Sequence, residues 1–175
     1  IAPTLVPPPP TTGSQPLVLV VEDNVDMNRF IADTLRAHYR VACAFNGQQG
    51  LEQALAIVPD LIISDVMMPV MNGDQMVSEL RQWPKLADVP IVMLTSKTDD
   101  DLCVKLLKMG IQHYLNKPFT VDGLLARVEK LLTERQRIRE QLRESEARFQ
   151  ATFEQAAVGI AIVSPEGRWL RVNHK

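Results

Sequence analysis

The chain has 175 residues, 46% of them apolar and 23% charged, with a formal net charge of −2. That length suffices for one ordinary globular domain plus a remainder, or for two very small domains. Balanced charge and a mean hydropathy near zero exclude a disordered tail, a basic nucleic-acid arm and a collagen-like chain, and no apolar run reaches the ~18 residues that span a bilayer.

Residues 1–16 contain Pro3, the run from Pro7 to Pro10, and Pro16, mixed with Thr, Gly and Ser. Proline fixes φ and removes a donor, so the stretch favours extended polyproline II and reads as a semi-stiff linker. The chain starts at Ile1 and shows no basic start ahead of an apolar stretch, so it reads as a segment of a longer protein without a signal peptide.

Leu17-Val18-Leu19-Val20-Val21 is an apolar, β-branched run, as expected of a strand covered on both faces. Met27, Phe30, Ile31 and Leu35 follow at helical spacing. Residues 41–45 read as a second strand closed by a turn at Asn46-Gly47. Leu51, Ala54, Leu55 and Val58 mark a helix that Pro59-Asp60 stops. Leu61-Ile62-Ile63-Ser64 is a third strand, followed by a Met-Pro and Asn-Gly loop and a helix through Met76, Val77 and Leu80. Ile91-Val92-Met93-Leu94 is a fourth strand. A helix through Leu102, Leu106 and Leu107 ends at Gly110, and Tyr114-Leu115 belongs to a short fifth strand. Strands and helices thus alternate, which predicts a doubly wound α/β fold with a five-stranded parallel sheet.

Functional groups in such sheets collect at the carboxyl ends of the strands. Strand one ends in Glu22-Asp23, strand three in Asp65, strand four in Thr95-Ser96 and strand five in Lys117-Pro118. Neighbouring carboxylates repel one another, and a hard divalent cation relieves the repulsion. A carboxylate beside such a cation can attack phosphorus, with a lysine and a hydroxyl offsetting charge on the transferred oxygens. Acids at strand ends also serve as helix caps and loop residues; the five positions together favour the chemical reading.

Four segments in order, Val20-Val21-Glu22-Asp23-Asn24, Ser64-Asp65-Val66-Met67-Met68-Pro69-Val70-Met71-Asn72-Gly73, Met93-Leu94-Thr95-Ser96 and Tyr114-Leu115-Asn116-Lys117-Pro118-Phe119, resemble the receiver domain of two-component response regulators. The resemblance covers residues 17–132 and implies the flavodoxin-like strand order 2-1-3-4-5. It further implies that Asp65 accepts a phosphoryl group from a histidine kinase or histidine phosphotransfer domain. Asp23 would hold Mg²⁺ (or Mn²⁺) directly, Glu22 mainly through water, and Met67 through its backbone carbonyl. Lys117 would pair with the phosphoryl oxygens, Thr95 would swing toward them, and Tyr114 would turn inward as it does. The Lys117-Pro118 bond would be cis. Ile111-Gln112-His113 departs from the family's usual small residue and acids, which bears on the partner surface. An aspartate-nucleophile hydrolase would want a second acid where Met67 stands, and a docking module without phosphorylation would not need the full set of site residues.

Leu124, Val128, Leu131, Arg135, Ile138, Leu142, Ser145, Phe149 and Thr152 follow an unbroken 4-3 spacing, predicting an extended helix over 124–154 and a parallel homodimer through a coiled coil. With Val128 at a, Glu134 at g faces Arg139 at e of the partner helix. Residues 145–173 resemble the opening of a PAS sensory domain, truncated over 155–175; a strand over 160–163, a Ser-Pro-Glu-Gly turn and a strand over 169–172 would form its first hairpin. A lone hairpin is marginal in water, so residues beyond about 155 are expected to pack poorly or lean on a neighbour. Cys43 and Cys103 are too few and too far apart for a disulfide scaffold or zinc site. The whole reads as a cytoplasmic phosphorelay segment of a hybrid histidine kinase, with no turnover of its own, no direct nucleic-acid contact and no membrane span.

Overall fold

The computed structural model describes residues 15–96, 111 and 113–173. The proline-rich stretch up to residue 14, the helix expected through Leu102, Leu106 and Leu107, and Cys103 lie outside them. The chain divides into two units, with the boundary after Leu132.

In the first unit, β1 (Leu17–Val21), β2 (Arg40–Ala44), β3 (Leu61–Asp65), β4 (Ile91–Ser96) and β5 (His113–Lys117) form one sheet of order β2-β1-β3-β4-β5. Every neighbouring pair is parallel. Side chains along a strand alternate between faces, and both faces are apolar here. Leu19, Val21, Ile62 and Met93 enter one core with Met76, Val77 and Leu80. Val18, Val20, Ile63, Val92 and Leu94 enter the other with Ile31 and Leu35. The bulk of Ile111 is absorbed in the first core.

Three helices of this unit start on asparagine: α1 (Val25–Arg36), α2 (Gly47–Ile57) and α3 (Gly73–Leu80). The Asn24 side chain accepts from Met27 N, and Asn46 from Gln49 N, each at 2.9 Å, satisfying amides that no helical carbonyl can reach. Asn46-Gly47 is therefore not a turn, as the sequence suggested, but a cap and a first helical residue. Gly47 is required there because an added Cβ would lie 2.4 Å from the carbonyl oxygen of Met71. Val58 does not extend α2; it caps it in the left-handed region at φ 46.

The edge strand β2 is shielded by α2: Gln53 Nε2 donates to Cys43 O at 2.8 Å, and Phe45 N donates to Gln49 Oε1 at 3.0 Å. Such side-chain partners leave less of the edge open to strand addition. Pro16 offers only an acceptor, and its carbonyl takes the Arg40 N–H at 3.0 Å.

The helix α4 (Val121–Gln155) crosses the unit boundary. Its positions Leu124, Val128, Leu131 and Leu132 are buried in the second core of the sheet. They are thus not free for a coiled-coil seam. The 4-3 spacing runs through both environments and cannot by itself distinguish them. Past Leu132 the same spacing carries Ile138, Leu142 and Phe149, which are 54%, 59% and 48% exposed.

In the second unit, β6 (Ala161–Val163) and β7 (Trp169–Val172) form the expected antiparallel hairpin. Asn173 ties it to the helix end: its Nδ2 donates to Phe153 O and Val158 O, and its Oδ1 accepts from Ile160 N. Phe153 is buried, stacked on Phe149 at 5.7 Å, with the Arg171 guanidinium over its ring. Trp169, Leu170 and Val172 are all exposed, so side chains on both faces of β7 meet solvent. Among the described residues, no helix is long and apolar enough to cross a membrane.

Candidate functional site

Parallel strands bring their carboxyl ends to one edge, and the register fixes which residues meet. Asp65 ends β3 opposite Leu94, Thr95 pairs with Asn116, and Ser96 pairs with Lys117. Glu22 and Asp23 follow β1 directly. The predicted acids do converge: one carboxylate oxygen from each of Glu22, Asp23 and Asp65 lies within 4.8 Å of the others. Glu22 is buried, Asp65 half-buried and Asp23 exposed.

Lys117 bridges two of the three. Its Nζ donates to Asp65 Oδ2 at 2.7 Å and to Glu22 Oε2 at 2.8 Å. The peptide bond from Lys117 to Pro118 is cis, as expected. Burial pulls the lysine pKa down, but the hydrogen bonds to Asp65 and Glu22 outweigh it and leave the ammonium form favoured. Burial pushes the Glu22 carboxyl up from its ordinary 4.5, and the bond from Lys117 only partly opposes this. Three carboxylates against one ammonium leave two formal negative charges, which one divalent cation would balance.

The donor set is hard oxygen with some ligands exposed to water, which fits Mg²⁺ or Mn²⁺ better than a soft, sulfur-preferring ion. Asp65 Oδ1 is the less engaged oxygen, with Met67 N at 3.4 Å. The side chain of Met67 is exposed, while Met68 is buried. Tyr114 stands on β5 with its side chain exposed.

Three residues that sequence reasoning passed over shape the site. Asn28 is buried and its Nδ2 donates to Glu22 O at 3.0 Å and Ala44 O at 2.9 Å, fixing the backbone after β1. Only its place one helical turn after Asn24 hinted at this. Gly73 lets α3 begin against the Asp65 carbonyl, and Gly73 N donates to Val66 O at 2.8 Å. Asn116 Oδ1 accepts from the buried Thr95 hydroxyl at 2.9 Å. Beside the acids, a cleft of about 360 Å³ is lined by Glu22, Asn24, Asp26, Met27, Phe30 and Lys117. Phe30, which shares the helical spacing of Ile31 and Leu35, forms part of this wall.

Comparison with known proteins agrees with this geometry. The response regulator receiver domain family matches residues 18–129. The chain is 51% identical over 120 residues to hybrid signal transduction histidine kinase D of Dictyostelium discoideum, covering 69% of this chain and 8% of that protein. It is 37% identical over 207 aligned positions to the sensor histidine kinase TmoS of Ectopseudomonas mendocina, covering 95% of this chain and 21% of that one. It therefore spans only a small part of these curated relatives. Among solved structures, the chemotaxis response regulator CheY4 of Vibrio cholerae superposes with a TM-score of 0.64 at 33% identity, covering 67% of this chain and 99% of CheY4. Shared fold, matched segment and acidic edge lead to one conclusion: the chain belongs, through residues 18–129, to the response regulator receiver domain family of two-component systems.

Proposed function

We propose that this segment accepts a phosphoryl group on Asp65 from the phosphohistidine of a histidine kinase or histidine phosphotransfer domain. The observation that carries the reading is the bridge from Lys117 to Asp65 and Glu22 beside Asp23. Lys117 holds Asp65 Oδ2, which leaves Oδ1 as the nucleophile. Oδ1 forms a bond to phosphorus as the bond from phosphorus to the donor imidazole nitrogen breaks. The bonding pair leaves with that nitrogen, which takes up a proton. Lys117 then shifts its hydrogen bonds toward the phosphoryl oxygens, and the Thr95 hydroxyl donates to one of them. Bound Mg²⁺ or Mn²⁺, held by Asp23, Asp65 and the Met67 carbonyl with Glu22 acting through water, would neutralise the clustered charge.

Movement of Thr95 and an inward turn of Tyr114 would alter the β5 surface, a two-state change biased by the new charge. The output would travel along α4. Ile138 and Leu142 are exposed, and Phe149 is half-exposed beside its stack on Phe153. Together they would supply an apolar stripe for a parallel homodimer in which Glu134 and Arg139 take the g and e positions. The hairpin of the second unit would open a PAS domain. The parent would be a hybrid histidine kinase, a reading supported by the match to a hybrid and a sensor histidine kinase, and this segment of it would lie in the cytoplasm. Incubation of the chain with acetyl phosphate and Mg²⁺ should add one phosphoryl group by intact mass, and Asp65→Ala should add none. The same adduct on Asp65→Ala would refute the assignment.

A further inference from the structure

A threonine hydroxyl has a single proton to donate. Here Thr95 Oγ1 donates it to Asn116 Oδ1 at 2.9 Å. The two residues are register partners across β4 and β5, and Thr95 is buried while Asn116 is exposed. Asn116 also directly precedes Lys117, whose ammonium holds Asp65 and Glu22. One strand therefore carries the cation that fixes the acidic site and, one residue earlier, the acceptor that occupies the neighbouring hydroxyl.

We propose that Asn116 is a positioning residue that holds the Thr95 hydroxyl away from Asp65 and so sets how readily the site enters its phosphorylated form. The inference rests on the reading of Asp65 as the phosphoacceptor and of Thr95 as a donor to its phosphoryl group. The hydroxyl cannot donate to a phosphoryl oxygen until it releases Asn116. Asn116 is exposed, so water takes up the amide oxygen on release and no buried acceptor is orphaned. The hold is consequently modest and reversible. It depends on the acceptor atom and not on the shape of the side chain, and this separates it from a packing role. Leucine has nearly the same shape as asparagine and no acceptor. Aspartate keeps the acceptor and charges it, which strengthens a bond from a hydroxyl.

The test measures the rate of phosphorylation of the full 175-residue chain by acetyl phosphate with Mg²⁺, followed by intact mass. Asn116→Leu should react about five-fold faster than wild type, the ratio set by one net hydrogen bond. Asn116→Asp should react at the wild-type rate or more slowly. In a Thr95→Val background, where no hydroxyl remains to be held, Asn116→Leu should change nothing. The proposal is overturned if Asn116→Leu and Asn116→Asp shift the rate alike, or if the leucine effect persists without the hydroxyl. Wild type that labels on Asp65 while Asn116→Leu reacts at the same rate refutes the hold and leaves the phosphoacceptor reading standing. Wild type that takes no phosphoryl group refutes both.

Discussion

Gly73 occupies the first position of α3 because nothing larger fits. A Cβ built there would lie 2.1 Å from the carbonyl oxygen of Asp65, 2.8 Å from Met93 Cε and 3.0 Å from Ser64 Oγ. The first distance falls more than an ångström short of ordinary van der Waals contact at 3.4 Å, and the obstacle is backbone, which cannot rotate away. Overpacking of this kind costs about 1–3 kcal/mol, and the upper part of that range applies where the backbone must move. Alanine's advantage over glycine in a helix, about 0.5–1 kcal/mol, offsets only part of it. Gly73→Ala should therefore lose about 2 kcal/mol in urea unfolding followed by circular dichroism, with an unchanged slope. Gly159→Ala is the control: nothing lies within 4 Å of its added Cβ, so stability should hold or rise slightly. Because Asp65 contributes both the obstructing carbonyl and the carboxylate that Lys117 grips, Gly73→Ala should also slow phosphorylation. An unfolding midpoint at or above wild type for Gly73→Ala would show that the contact does not constrain α3 and would refute the reasoning.

Val70 is a β-branched residue at φ 71 in the loop after Asp65, and it is 83% exposed. Its replacement removes strain without removing packing, so Val70→Asn should raise stability by about 1 kcal/mol in the same unfolding assay; a lower midpoint contradicts this. Burial pushes the Cys43 thiol up from its ordinary 9.0, a nearby Arg36 only partly opposing it, so the reactive thiolate forms at higher pH than in a free cysteine. In a Cys103→Ser background, alkylation by iodoacetamide should reach half its maximal rate at higher pH than for free cysteine under the same conditions, and a midpoint at or below that of free cysteine contradicts the burial.

Much of this was legible along the chain, and the failures have physical causes. The strands β1, β3 and β4 are aliphatic, largely β-branched runs buried on both faces, β2 and β5 are more polar edge strands, and the observed ends of all five fall within a residue or two of those expected. Once the sheet is parallel, its carboxyl edge follows, and Glu22, Asp23, Asp65 and Lys117 meet there. The places where the reading failed depend on distant partners. Asn46-Gly47 has the composition of a turn, but Met71 approaches from another loop and makes it a helix start. Met27, Phe30, Ile31 and Leu35 mark α1 by spacing, but spacing does not show that Asn28 and Ala32 share the buried face with Ile31 and Leu35 while Phe30 lines the cleft. A polar residue such as Asn28 becomes buried only because Glu22 and Ala44 present it with carbonyls. The seam of α4 is continuous in sequence but enters the sheet's core up to Leu132 and solvent beyond, a change that periodicity does not encode. Asn116 stands in one of the matching segments, but nothing there shows that it accepts from a hydroxyl twenty-one residues earlier.

Borohydride converts an acyl phosphate to an alcohol and leaves free carboxylates unreacted, so it turns a phosphorylated aspartate into homoserine at the same position. After exposure of wild type to acetyl phosphate and Mg²⁺, peptide mapping of the reduced chain should find homoserine at position 65, with none when a chelator removes the cation. Homoserine at position 23, or equal labelling of Asp65 with the chelator present, would contradict the view that Asp65 is the nucleophile of a cation-dependent site.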